Sequence, residues 1–260
     1  MRWALLLFLL AGCAKADAPA EAASSSPCGQ QLFDGSRFTV CDPSGGKLRL
    51  IAAARDETPL RTFADLSRKL DPSTVAFAMN AGMFDEAGRP IGLAIVGGKP
   101  VHKINLRAGG GNFHLKPNGV FFVLAGGKPA IFASGRIPEF RAPPELATQS
   151  GPMLVIDGKL HPAFDRDGSS RYIRNGVGVT AGGKALFVIS QDPVSFGKFA
   201  RFFRDGLKTP NALFFDGAVS SLWDPANGRQ DSHALLGPVI VALKPQAAAS
   251  KPGREAPARP

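Results

Sequence analysis

Between residues 38 and 243, short apolar runs are punctuated by one recurring turn. Gly45-Gly46-Lys47, Gly97-Gly98-Lys99, Gly126-Gly127-Lys128, Asp157-Gly158-Lys159 and Gly182-Gly183-Lys184 are each flanked by β-prone residues. Gly-Gly and Asp-Gly accept the positive φ that two-residue hairpin turns require, and the lysine keeps the tip in water. The pattern predicts strand pairs 91–96 with 101–104, 120–124 with 130–133 and 177–180 with 185–190, and a strand at 152–156. Residues 38–41 form the first predicted strand. Runs 75–79, 212–215 and 239–243 are almost wholly apolar, as expected of strands covered on both faces. Two segments have helical spacing instead. Residues 59–70 carry Leu60, Phe63, Leu66 and Leu70 ahead of an Asp71-Pro72 stop. Residues 193–207 carry Phe196, Phe199, Phe202, Phe203 and Leu207, a stripe suited to a core. The expected class is α+β (mixed α/β): a large mixed β-sheet, rich in hairpins, with a few packed helices.

The ends of the chain differ from this pattern. Arg2 precedes an apolar stretch, Trp3 to Leu10, too short to span a bilayer, and the stretch ends in Leu10-Ala11-Gly12-Cys13. A short apolar run closed by small residues is the pattern of a cleaved export signal. The four residues resemble the lipobox of bacterial lipoproteins, in which the cysteine, here Cys13, becomes the lipidated first residue. The resemblance implies residues 1–12 as signal and membrane attachment through lipid. Ala14 after the cysteine points, by the same resemblance, to the periplasmic face of the outer membrane. Residues 13–27 are rich in Ala, Ser and Pro and read as a flexible tether, and 244–260 as a disordered basic tail. One globular unit, 28–243, lies between them.

Two further cysteines, Cys28 and Cys41, are most simply a disulfide in an exported domain. Closing that loop would add roughly 3 kcal/mol in the chain-entropy treatment. The formal net charge is +10, which favours acidic surfaces or substrates. The basic residues are scattered through turns and termini, without the clustering or aromatic interleaving of a nucleic-acid binder, so no nucleic-acid partner is expected.

Candidate chemistry gathers in loops at strand ends. Asn80-Ala81-Gly82-Met83-Phe84-Asp85 follows the strand at 75–79. Gly111-Asn112-Phe113-His114 runs on to Lys116-Pro117-Asn118-Gly119, and Gln149-Ser150-Gly151-Pro152 leads into the strand at 152–156. Phe215-Asp216-Gly217-Ala218-Val219-Ser220-Ser221 follows the strand at 212–215, and Arg171 and Arg174-Asn175-Gly176 precede the strand at 177–180. An Asp or Asn leaving a buried strand beside glycine puts a polar group at the rim of a sheet and lets a ligand approach the backbone. The four histidines have no zinc-ligand spacing, and no Gly-x-Ser-x-Gly elbow is present.

Taken together, Asn80-Ala81-Gly82-Met83-Phe84, Asn118-Gly119-Val120-Phe121-Phe122, Ser150-Gly151-Pro152, Arg174-Asn175-Gly176-Val177-Gly178, Asn211-Ala212-Leu213-Phe214-Phe215-Asp216-Gly217 and Leu236-Gly237-Pro238 resemble the phosphodiester glycosidase family, closest to its short bacterial branch. The family often has Asp-Gly-Gly-Gly-Ser-Ser where this chain has Asp216-Gly217-Ala218-Val219-Ser220-Ser221. Ala218 and Val219 are therefore expected to add bulk where glycines would let a substrate press close. The resemblance implies hydrolysis of a sugar-1-phosphodiester bond in a glycan or small molecule. Ordinary glycosidases pair two carboxylates because an alkoxide must be protonated as it leaves. A phosphate ester leaves as a stable anion, so such a site needs a cation and amide donors for phosphate and one carboxylate for the anomeric carbon or a water. Arg174 is the expected phosphate clamp, unless it is spent on an ion pair with Asp192. Asp216 is the expected carboxylate and Asp85 the alternative catalytic acid. Asn80, Gly82, His114, Asn118, Ser150, Gly151, Gly217 and Ser220 are expected to position the substrate. No cofactor is required, although a divalent cation bridging Asp216 and phosphate is compatible with the sequence. The competing reading is a non-catalytic lipoprotein that binds anionic envelope glycans.

Overall fold

The computed structural model describes residues 26–245; Cys13, the export signal, the tether up to residue 25 and the tail from 246 lie outside the described residues. Seventeen strands and two α-helices form an α+β fold, and its strands divide among three sheets, not one mixed sheet. Every strand pairing is antiparallel. In the first sheet the order is β1 (Cys28–Phe33), β2 (Ser36–Cys41), β13 (Ala185–Ser190), β12 (Asn175–Val179), β14 (Asn211–Phe214), β10 (Met153–Ile156) and β11 (Lys159–Leu160). The second runs β16 (Arg229–Gln230), β15 (Leu222–Asp224), β4 (Val75–Asn80), β17 (Val239–Leu243) and β3 (Leu48–Ile51). The third runs β6 (Lys99–His102), β5 (Ala94–Val96), β9 (Leu146–Ser150), β7 (Gly119–Val123) and β8 (Pro129–Ala133).

Apolar runs arise because each sheet is buried on both faces. Side chains alternate along a strand. In β13, Phe187 and Ile189 enter a central core with Phe77, Met79, Phe121, Leu213, Phe215 and Ile240, residues drawn from or beside all three sheets. Val188, between them, points to the other face, where Phe38, Phe199, Phe202 and Phe203 pack. Strand β17 does the same, with Ile240 inward and Val239 and Val241 against Phe63, Leu66 and Trp223. Few positions on such strands can be polar, so period-2 alternation is hidden.

The two helices cover outer faces. Helix α1 (Phe63–Lys69) starts later than its periodicity predicts, because Thr62 caps it by accepting from the Asp65 N–H at 3.0 Å. Helix α2 (Phe196–Arg201) is capped by Ser195 and continues as a π-helical turn, Phe202–Gly206. The Gly97-Gly98, Gly126-Gly127 and Asp157-Gly158 turns have positive φ at both central residues; the first two join β5–β6 and β7–β8 as predicted, and the third joins β10 to the short strand β11, a partner the pattern does not predict. Gly45-Gly46 departs from its siblings: it carries the chain from β2 in one sheet to β3 in another. Cys28 and Cys41 form the expected disulfide, directly opposite one another across β1–β2. Strand β1 is a polar, exposed edge that hydrophobic patterning does not reveal.

Candidate active site

Antiparallel pairing brings the predicted loops to one rim. The end of β4 lies beside the start of β17, the end of β14 beside the start of β12, and the end of β9 beside the start of β7. The first and second sheets are then tied by a polar knot. The Asn80 side chain donates to the Asp216 carbonyl at 2.8 Å and accepts from the Ser221 N–H at 2.8 Å and the Asn175 amide at 2.9 Å. The Asn175 amide also donates to the Asn80 carbonyl, and its oxygen accepts from the Ser220 hydroxyl at 3.1 Å. Asn80 and Ser220, expected to hold substrate, therefore direct their polar atoms at the protein. Their hydrogen bonds run to the backbone and side chains that form and adjoin the Asp216 turn. Asn175 was not singled out as a separate position by its sequence context, yet it joins both.

The same correction applies to Asn118. It is buried, donates to the Phe113 carbonyl at 2.8 Å and accepts from the Lys116 ammonium at 3.1 Å. Gly82 gives its N–H to the Thr148 hydroxyl at 3.1 Å, and a side chain there would collide with the Gln149 backbone. Gly151 backs onto Asn118, whose Cβ would lie 2.6 Å from an added methyl. Ser150 differs: it is fully buried and its hydroxyl has no partner among the described residues. His114 is half-buried, with Nδ1 3.0 Å from the Arg107 carbonyl and its ring edge-on to Phe113. Asp85 is not brought to Asp216. It is exposed, accepts from the Arg89 N–H at 2.8 Å within a tight turn, and lines a separate cleft.

Arg174 is the unusual residue. Only 2% of it is exposed. Its Nε donates to the Val194 carbonyl at 2.8 Å and one Nη to the Ser170 carbonyl at 3.0 Å, while its own N–H is held by the Ser190 hydroxyl. The guanidinium carbon stands 3.6 Å over the Phe196 ring, 5.5 Å from Phe214 and 5.6 Å from Tyr172. No carboxylate pairs with it among the described residues; Asp192, the partner weighed from sequence, is taken by Arg37 at 2.8 Å. Desolvation pushes the Arg174 pKa down to about 10, which still leaves it charged at neutral pH. A charge buried among rings without a counter-charge costs several kcal/mol.

Asp216 sits one ring away. Phe214 packs under Gly217, where any side chain would strike the ring, and the guanidinium lies over the same ring. The Asp216 carboxylate caps a 3-10 turn, Gly217–Val219, by accepting from the Ala218 N–H at 3.2 Å, and burial raises its pKa. Its second oxygen makes no hydrogen bond to a described residue. Val219 does not crowd this place: its side chain packs with Phe63, Leu66 and Trp223 under α1.

Beside the guanidinium are groups that sequence reasoning read as core or passed over. Phe164 stacks on Phe196 at 4.9 Å and His161 on Phe164 at 4.7 Å, and His161 Nε2 lies 3.0 Å from the Lys116 carbonyl. Tyr172, the one tyrosine of the chain, is 63% exposed, yet its backbone is fixed by N–H and C=O bonds to Val194. A rigid backbone under an exposed aromatic was the signal available.

A buried cation without a carboxylate, a half-buried carboxyl and an exposed aromatic ring thus lie along one rim. Residues 73–234, more than half of the sequence, match the family model described as phosphodiester glycosidase, and the chain belongs to that family. An uncharacterized Escherichia coli (strain K12) protein, YigE, is 39% identical over 151 residues, 57% of this chain and 58% of that protein. The chain thus spans little more than half the length of this relative. Among solved structures, the catalytic domain of zebrafish N-acetylglucosamine-1-phosphodiester alpha-N-acetylglucosaminidase, auto-inhibited by its pro-peptide, superposes with a TM-score of 0.57 at 16% identity. That match covers 84% of this chain and 81% of that one. A hypothetical protein from Synechocystis gives 0.53 at 16% identity, over 84% and 61%. At such identities the likeness is one of fold.

Proposed function

We propose that the chain hydrolyses a sugar-1-phosphodiester, with Arg174 binding the phosphate and Asp216 serving the attacking water. The observation that carries this reading is the buried Arg174 guanidinium without a carboxylate. Strongly perturbed ionisable groups gather at functional sites, and a planar guanidinium presents paired donors to phosphate oxygens. A phosphate arriving beside Phe196 supplies the missing counter-charge and offsets the desolvation of the cation.

Chemically, the bond broken is that between the anomeric carbon and the phosphate oxygen. Water adds to the carbon, its proton passes to Asp216, and the phosphate ester leaves as an anion stabilised by Arg174. Burial makes Asp216 a stronger base than an ordinary aspartate, which suits it to accept that proton. Tyr172 offers its exposed face to the sugar ring. Asn80, Asn175 and Ser220 hold the Asp216 turn in place from behind. Leu10-Ala11-Gly12-Cys13 supports a lipid-anchored location at the cell envelope, which directs the choice of substrate toward envelope glycans or imported sugars.

The test is release of free sugar from a panel of sugar-1-phosphodiesters. Wild type is expected to turn over at least one of them, and Arg174→Ala and Asp216→Asn each to lose about a hundredfold to a thousandfold in kcat/KM. Binding without turnover across the panel would instead establish a glycan-binding protein.

A further inference from the structure

A second cleft lies away from Arg174, between the Asp85–Pro90 turn and the segment 101–107 that includes the end of β6. It consists of two adjoining cavities of about 520 and 480 Å³ that share Asp85, Pro90, His102 and Lys103. One is extended by Arg107, the other by Arg55 and Arg89. Four cations therefore line it against one acid. None of Arg55, Arg89, Lys103 and Arg107 forms a salt bridge among the described residues. The Nε of Arg89 is buried and has no hydrogen-bond partner among the described residues. Of the acids in the neighbouring segments, Asp85 and Glu57 accept backbone N–H groups, and Asp56 and Glu86 are exposed outside the lining of either cavity. His102 holds its Nδ1 against two carbonyl oxygens, of Gly92 at 3.0 Å and Lys103 at 2.9 Å, so that nitrogen carries the proton and Nε2 is left unengaged.

We propose that this cleft binds a flexible polyanionic strand, a phosphate-bearing glycan polymer. The cations are strung along two cavities and do not converge on a point, which suits charges repeated along a chain better than one small anion. No Phe, Tyr or Trp lines either cavity, so stacking platforms for bases are missing, which argues against single-stranded nucleic acid and leaves recognition to charge along the polymer. The cleft is also built into the rim already described. Its Asn105 is fixed by Gln149, whose side chain accepts from the Asn105 N–H at 2.9 Å and donates to the Asn105 carbonyl at 2.7 Å, and Gln149 is followed by Ser150. The loop leaving Arg107 reaches His114 and then Asn118. The inference concerns binding and does not rest on the hydrolytic reading.

Short linear inorganic polyphosphate serves as the probe, with the full chain and titration calorimetry as the measurement. Arg55→Glu with Lys103→Glu reverses two exposed charges, neither of which makes a side-chain hydrogen bond to a described residue. Lys128→Glu with Lys159→Glu makes the same change in net charge at two hairpin tips. The cleft pair is expected to raise Kd at least about tenfold and to flatten its dependence on salt, and the hairpin pair to change Kd by no more than about twofold. Any turnover of a small sugar-1-phosphodiester should be unchanged in the cleft pair, so loss of polymer binding and loss of catalysis are read separately. The proposal is overturned if wild type does not bind, if both pairs weaken binding equally, or if Arg174→Ala abolishes binding while the cleft pair does not. Tighter binding of a single-stranded oligonucleotide of equal charge would assign the cleft to nucleic acid and overturn it too.

Discussion

Among the described residues two arginines are nearly sealed from water, and their surroundings are opposite. Arg201, the last residue of α2, is 5% exposed in its side chain and reaches the carboxylates of Asp34 at 2.8 Å and Asp167 at 3.3 Å. Its hydrogen bond holds the Asp34 carboxyl below the usual carboxylate range. Arg174 is buried as deeply, at the entrance to β12, but meets only carbonyls, a hydroxyl and aromatic rings. A cation that the fold neutralises holds the fold together: Arg201 ties the β1–β2 turn to the loop before β12. A cation that the fold leaves uncompensated is suited to a ligand that brings the charge with it. Burial alone does not separate a structural arginine from a functional one; the inventory of counter-charges does.

The widest separation between the two should appear in stability. Arg201→Leu strands two carboxylates, and because both keep contact with water the loss should be about 2 kcal/mol, below the roughly 3–5 kcal/mol of fully buried pairs. Arg174→Leu removes an unpaired charge whose desolvation is offset only in part by its hydrogen bonds and the Phe196 ring, and should be neutral or stabilising by up to about 4 kcal/mol. Urea unfolding of the two variants checks this, and equal losses would break the comparison. Next in size is Tyr172→Ala, expected to raise KM about tenfold with kcat nearly unchanged, since an exposed ring contributes its stacking to ground state and transition state alike. Steady-state kinetics on the best substrate of the panel decides it, and a fall in kcat with KM constant would remove Tyr172 from the sugar contact. The smallest effect concerns Asp216. Its folded pKa is raised, so the native state holds this proton more tightly than the unfolded chain does. Its contribution to stability is therefore fullest at acidic pH and declines as pH rises from the ordinary carboxylate range through the raised value. Asp216→Asn should lack that decline, measured as the difference between the unfolding free energies of the two proteins across pH.

Much of this was legible in the sequence. Glycine pairs encode local backbone geometry, so the hairpins β5–β6, β7–β8 and β12–β13 could be read directly, and so could the disulfide. Which hairpin lies beside which could not, because apolar runs such as Val75–Met79 are equally suited to any doubly covered sheet. The Gly45-Gly46 turn shows the limit: its residues match those of its siblings, and only its neighbours decide that it crosses between sheets. The site was legible as a list of rim residues but not as a set of roles. Asn80, Asn118 and Ser220 look like ligand contacts until their partners, up to about a hundred and forty residues away along the chain, are seen. Phe196 looks like one more member of a core stripe, although its ring lies beneath Arg174 while Phe199, Phe202 and Phe203 fill the core. Arg174 stood out in the sequence as a cation two residues before a glycine, and its rival partner Asp192 is given by the fold to Arg37. Asp85 satisfies the backbone of its own turn, as turn carboxylates often do, by accepting from the Arg89 N–H.

The knot centred on Asn80 also has a kinetic meaning. Its bonds fasten the end of β4 in one sheet to the start of β12 in another and to the turn that carries Asp216. Neither sheet can open by itself without releasing Asp216, so the site should have no partly open state of its own. The Ser221 amide, buried and bound to the Asn80 side chain, should then exchange its hydrogen with solvent only as fast as the whole domain unfolds. That single slowly exchanging amide would make the integrity of the site visible without any substrate.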